Sequence, residues 1–190
     1  EIHATKDTTI TNAEIISENA DAKKSNTGQS DSLEVFRVSS SASPDNYEES
    51  KILLKFNPSE ISSSAAALDF PLADTKFYLR LYNVKHDKST PSAFNVEVGD
   101  LENDFDEGHG LDMETYKDLG AANWLSSSVD TLWSTPGGGA STSLGTVYFE
   151  EGTEDYKELK VNSAKMKATF DDREILTKEN LKHFHLDDDE

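Results

Sequence analysis

The sequence predicts an all-β protein, an antiparallel β-sandwich of about seven to nine short strands with little helix. Three observations carry that expectation. Apolar and polar residues alternate with a period of two through most of the apolar segments. Ser, Asn, Asp, Gly and Pro cluster between those segments, where a chain must turn. Hydrophobic residues fill 35% of the 190 positions, below the usual globular share, while aromatics hold an ordinary 9%. That balance fits a thin sandwich with a large wet surface better than a layered α/β core.

Taken in order, Ile2–Ile10 reads as an opening strand. Leu33–Val38 sets Leu33, Val35 and Arg37 on one face against Glu34, Phe36 and Val38 on the other. Lys51–Phe56 is a short buried strand stopped by Asn57-Pro58. Lys76–Val84 alternates Phe77, Leu79, Leu81 and Asn83 against Tyr78, Arg80, Tyr82 and Val84, which places it centrally. Ala93–Val98, Thr146–Phe149, Glu158–Val161 and Met166–Phe170 supply the remaining strands.

Asn12–Ser32 and Ser39–Glu49 are rich in Ser, Asn, Asp and Lys and read as exposed loops. The longest irregular stretch is Asp100–Ser143, which holds a helical turn at Asp112–Leu119, both tryptophans and the Pro136–Gly139 turn. A connection of that length either carries function or folds over the core as a structured flap. The expected organisation is a sandwich over residues 1–170, flap included, followed by an acidic segment over 171–190. Asp171, Asp172 and Glu174 look like a helix start. Ile175, Leu176, Leu181 and Phe184 then recur at nearly helical spacing, before a solvated Asp187–Glu190 end. This segment is expected to be helical or flexible. Its apolar stripe docks on the chain's own sandwich or on a neighbouring subunit.

Thirty-seven acidic and 18 basic side chains leave a formal charge of −19. Such a chain repels phosphate backbones and anionic lipid, so neither nucleic acid nor a membrane surface is an expected partner. With no cysteine, a disulfide scaffold, a thiol nucleophile and a thiolate zinc site are excluded. No apolar run approaches the roughly 20 residues of a spanning helix. The chain opens on Glu1 without a secretory leader, so a processed, trimmed or partial chain is expected.

Several segments in order resemble a known family. They are Ile2–Ile10, Ser32–Val35, Lys51–Ile61 (KILLKFNPSEI) and Phe77–Tyr82 (FYLRLY). Phe105–Gly108, Gly110–Met113, Asn123-Trp124 and Trp133–Gly138 (WSTPGG) complete the series. Across about Glu1 to Phe170 the chain resembles the DNRLRE-type β-sandwich domain of bacterial and archaeal surface proteins. It looks closest to versions in virion proteins of tailed, often marine, phages. Phe105 stands where that family usually has Trp, and the match weakens after Val161. The resemblance implies a jelly-roll-like sandwich and a surface or virion structural role.

Candidate chemistry is sparse. Asp100, Glu102, Asp104, Asp106 and Asp112 lie on a loop beside Gly108 and Gly110, and calcium takes six to eight such hard oxygens. In an extended segment residues 100, 102, 104 and 106 share one face. The alternative is a solvated acidic loop, and no EF-hand spacing is present. Apart from that calcium, no cofactor is expected. Asp106 and Glu107 are too close in sequence to face each other across a glycosidic cleft. Of the histidines, His3, His86 and His109 are scattered, while His183 and His185 sit close together. Gly137–Gly139 lacks the following helix and lysine of a phosphate cradle, so it reads as a turn. Trp124 and Trp133 either pin the flap to the core or stack sugar rings.

The expected function is that of a non-enzymatic structural protein of a tailed-phage virion: a decoration, collar, tail or fibre-associated component. It would act by protein–protein assembly with other virion subunits, as a homo-oligomer or in many copies. The alternative is a carbohydrate-binding module of a secreted or cell-surface protein. A fragment of a polysaccharide-degrading enzyme is the weakest reading.

Overall fold

The computed structural model describes residues 2–15, 20–40, 43–67, 76–82, 84, 93–112, 120–139, 143–150, 156–161 and 183–187. Strands dominate, and every described strand register is antiparallel. The chain divides into two compact units. One comprises residues 1–5, 55–100 and 141–190, the other residues 6–54 and 101–140.

In the first unit, β1 (Ile2–His3), β7 (Lys76–Tyr82), β12 (Tyr156–Val161) and β13 (His183–Asp187) form a four-stranded sheet. Its order is β1-β13-β7-β12. The alternation expected of β7 is present: Phe77 and Leu79 are buried, while Tyr78 and Arg80 are only half-buried. β8 (Ala93–Gly99) pairs with β11 (Ser143–Glu150), and the opposed Phe94 and Phe149 rings stack 5.0 Å apart. The helix α1 (Pro58–Ala67) follows Phe56. Asn57 caps it, its Oδ1 accepting the Ser59 N–H at 3.0 Å, with Pro58 in the first turn and Ile61 buried beneath. The sequence reading stopped the strand at Asn57-Pro58 but did not assign this helix. Its Ser62–Ala67 half carries no apolar periodicity to mark it.

The second unit is built on β2 (Lys6–Thr11), β5 (Arg37–Ser40) and β6 (Ser43–Lys55, whose last residue belongs to the first unit), in the order β2-β6-β5. Smaller pairs are β3 (Glu14–Ile15) with β4 (Ala20–Asp21), and β9 (Ser126–Ser128) with β10 (Thr131–Leu132). A 3₁₀ turn spans Ala22–Lys24.

Four sequence expectations are corrected. The opening strand is two strands, because the pairing partner changes from β13 to β6 after Thr5. Leu33–Phe36 is not strand, because the Ser50 side chain takes over part of the pairing there, beside one backbone bond from the Ser50 N–H to the Phe36 carbonyl at 3.0 Å. Ser50 Oγ accepts the Phe36 N–H at 2.9 Å and donates to the Glu34 carbonyl at 2.9 Å. Ser39–Glu49 is not wholly a loop: most of it is strand, stabilised by pairing with β5 and by the Arg37 guanidinium 4.3 Å over the Tyr47 ring. Finally, the terminal segment does not end as a helix. His183-Phe184-His185-Leu186-Asp187 alternates with period two and forms β13 between β1 and β7. Phe184 therefore sits at a strand register position opposite Ile2 and Leu79 rather than on a helical stripe. Ile175, Leu176 and Leu181, like Met166–Phe170 and most of Asp112–Leu119, lie outside the described residues.

Candidate functional site

The flap expected over Asp100–Ser143 provides much of the core of the second unit. Leu101, Phe105, Ala122, Trp124 and Trp133 pack with Ile10 and Leu53 in one buried cluster. Local hydrogen bonds hold both indoles there. The Trp133 Nε1–H donates to the Asn123 carbonyl at 2.9 Å. Asn123 is itself buried, and its Oδ1 accepts the N–H groups of Leu125 and Ser126 at 2.9 and 3.1 Å. Its Nδ2 donates to Ala121 O and Ser126 Oγ. A single amide thus shapes the turn that joins the two tryptophans.

The Pro136–Gly139 turn closes over Trp124. The Gly137 N–H donates to the Trp124 carbonyl at 2.7 Å, and Lys51 Nζ reaches the Gly137 carbonyl at 3.0 Å while lying 5.1 Å above the indole. Gly137 has φ of 85°, and a β-carbon there would stand 2.8 Å from the indole edge. Gly137 therefore serves close approach to an aromatic ring, and the turn reading of this motif holds. Sugar stacking needs an open ring face. Trp124 is 8% and Trp133 4% exposed, so the pair offers no such platform and the carbohydrate assignment to these two residues is corrected.

The acidic residues are dispersed. Asp100 belongs to the first unit; Glu102, Asp104, Asp106 and Asp112 belong to the second. Glu102 Oε2 accepts from the Ser134 N–H at 3.0 Å and from its hydroxyl at 2.5 Å. Asp104 Oδ1 accepts the Phe105 N–H at 2.9 Å. Asp106 lies 3.7 Å from Lys6 Nζ in an exposed pair, and Asp112 is exposed. Glu107, which was not assigned to the calcium set, accepts the Asp7 N–H at 2.7 Å. These carboxylates shape the loop, and among the described residues no three His, Asp or Glu side chains converge to hold an ion.

A second polar network was not legible in the sequence. Asn12–Ser32 was expected to be an exposed loop, yet Ser25, Asn26 and Thr27 are buried. Thr27 Oγ1 accepts the Thr9 N–H at 3.1 Å, and Thr8 Oγ1 accepts the Thr27 N–H at 3.2 Å. This reciprocal pair satisfies buried backbone without a strand ladder. No protein family, curated protein or solved structure matches the chain.

Proposed function

We propose that this chain is a non-enzymatic structural module of a tailed-phage virion, acting by protein–protein assembly on the outside of the particle. The observation that carries the reading is the internal use of its chemically suggestive residues. Trp124 and Trp133 are core, Glu102 and Glu107 bind backbone, and Gly137 makes room for an indole. A loop spent in this way builds a rigid body rather than a reaction site. Antiparallel strands in both units, together with the segment-by-segment likeness to the DNRLRE-type domain, support a jelly-roll-like sandwich. The charge of −19 supports protein partners rather than nucleic acid or anionic lipid.

The test is mass spectrometry of gradient-purified particles from the source of the sequence, alongside a glycan-binding screen of the isolated chain. The expected result is a multi-copy particle component with no saturable glycan binding. Absence from particles, together with saturable binding of one oligosaccharide class, would overturn the assignment.

A further inference from the structure

In the second unit, β5 is the outer strand of the sheet β2-β6-β5, and among the described residues no strand pairs with its far side. Two contacts fix which backbone groups point there. The Ser50 N–H donates to the Phe36 carbonyl at 3.0 Å, so Phe36 and Ser50 form a hydrogen-bonded pair of the antiparallel ladder. Bonded and non-bonded pairs alternate, so Val38 bonds toward Glu48, while Arg37 and Ser39 face away from β6. Glu49, opposite Arg37, agrees with this phase, because both its backbone groups turn to Asn12 instead. Its carbonyl accepts the Asn12 N–H at 3.1 Å, and its N–H donates to Asn12 Oδ1 at 2.6 Å. Arg37 and Ser39 therefore present two N–H groups and two carbonyls along an open edge.

Edge strands are normally guarded by Pro, Lys or a bulge. Arg37-Val38-Ser39 carries neither residue, and the register shifts only after Ser39. The charged side chain of this edge, Arg37, is drawn back over its own sheet, 4.3 Å above the Tyr47 ring and 3.9 Å from Glu49. Val35, Val38 and Tyr47, in and beside the edge, are each nearly half exposed. An edge both unguarded and partly apolar is a template for another strand.

We infer that the strand completing this edge is β5 of a second copy of the chain, paired antiparallel about a two-fold axis at Val38. In that register Arg37 stands opposite the second copy's Ser39, and Ser39 opposite its Arg37. Both are hydrogen-bonded pairs, so four bonds satisfy all the outward groups of the two strands. Val38 meets its counterpart in the non-bonded position between them, where side chains are closest and α-carbons lie about 4.5 Å apart. The small Ser39 leaves room for the Arg37 stem, whereas a two-residue slip would oppose Arg37 to Arg37. Four bonds and one valine pair fall well short of the roughly 1,000 Å² of a lasting interface. One such contact is therefore weak and counts chiefly where many copies are held together. The inference deepens the assembly reading above and rests on it only for that multiplicity.

The test is self-association of the isolated full chain, which needs no particle, so its failure and the failure of the virion reading are separate results. Sedimentation and amide chemical shifts, followed from about 10 μM to about 1 mM, are expected to show a monomer–dimer equilibrium with shifts centred on Arg37–Ser39. Screening the charge of −19 with about 0.5 M salt should strengthen it. Ser39→Pro removes an outward donor and no bond to β6, so it should abolish association and leave Tm close to the parent's. Val38→Lys lowers the net negative charge yet opposes two lysines at the axis, and it should abolish association as well. Val129→Lys makes the same charge change at an exposed turn and should associate as the parent does. Since the chain has no cysteine, Val38→Cys provides a single-site probe of the axis. Mild oxidation should link Val38→Cys to itself faster than Val129→Cys. A monomer at about 1 mM in high salt would overturn the pairing. So would association that survives Ser39→Pro or Val38→Lys, or equal cross-linking rates at the two cysteines.

Discussion

Asn26 and Gly110 are locked together through both backbone and side chain. Asn26 Oδ1 accepts the Gly110 N–H at 2.9 Å, and a β-carbon on Gly110 would collide with the Asn26 carbonyl oxygen. The same Oδ1 accepts the Gly28 N–H at 3.3 Å, which fixes the orientation of the amide. Next along the chain, the Gln29 N–H donates to the Gly110 carbonyl at 2.9 Å. Two segments 84 residues apart are thereby joined through residues that are not themselves in strands.

Removing the Asn26 amide strands one buried backbone donor, at Gly110, and one part-buried donor, at Gly28. Asn26→Ala is expected to cost about 2–4 kcal/mol, from two unmade bonds and their desolvation. Urea unfolding checks this through the midpoint at constant slope. A loss below about 0.5 kcal/mol would mean that water replaces the amide there.

Trp133 separates packing from hydrogen bonding. Trp133→Ala should cost about 3–5 kcal/mol through the cavity it leaves. Trp133→Phe keeps most of the packing but leaves the Asn123 carbonyl unpaired, which should cost about 1–3 kcal/mol. Thermal unfolding of both variants checks the ranking. The parent's fluorescence should shift to longer wavelength on unfolding, because both indoles start buried.

The loop carboxylates should differ sharply in what they contribute. Glu102→Ala removes the acceptor of two bonds from Ser134 and is expected to cost about 1–2 kcal/mol. Asp106→Ala breaks a long, exposed ion pair with Lys6 and should cost under about 0.5 kcal/mol, with little salt dependence. Parallel melts in low and 0.5 M salt decide between this ranking and its reverse.

At the start of α1, Asn57→Ala is expected to cost about 1 kcal/mol, and Asn57→Asp much less, because a carboxylate also caps. Equal losses in the two variants would show that the side-chain oxygen is not what starts the helix. Chemical denaturation of both variants provides the measurement.

Strands were legible where one local rule was enough. β7 alternates Phe77 and Leu79 against Tyr78 and Arg80, and any chain with one dry face writes that period into its own residues. The exclusion of thiol chemistry and the bias against anionic partners likewise follow from composition alone. The cap of α1 is also written locally, in Asn57, Pro58 and Glu60. Other assignments depended on partners distant in sequence. Ser25, Asn26 and Thr27 read as an exposed polar loop, because nothing near them shows that Thr8 and Thr9 bond to Thr27 or that Gly110 bonds to the Asn26 oxygen. Ser50 looks like one more strand residue until Glu34 and Phe36 are seen to share its hydroxyl. Whether Trp124 and Trp133 face sugar or core was open in the sequence, since an indole suits either. Their cluster with Ile10 and Leu53 decided it. Composition and periodicity thus determined that this protein is built from strands and carries a negative surface. Tertiary structure alone decided which polar groups are buried and that His3 is the register partner of His183. Burial and pairing are properties of two segments at once, and neither segment's residues contain the other.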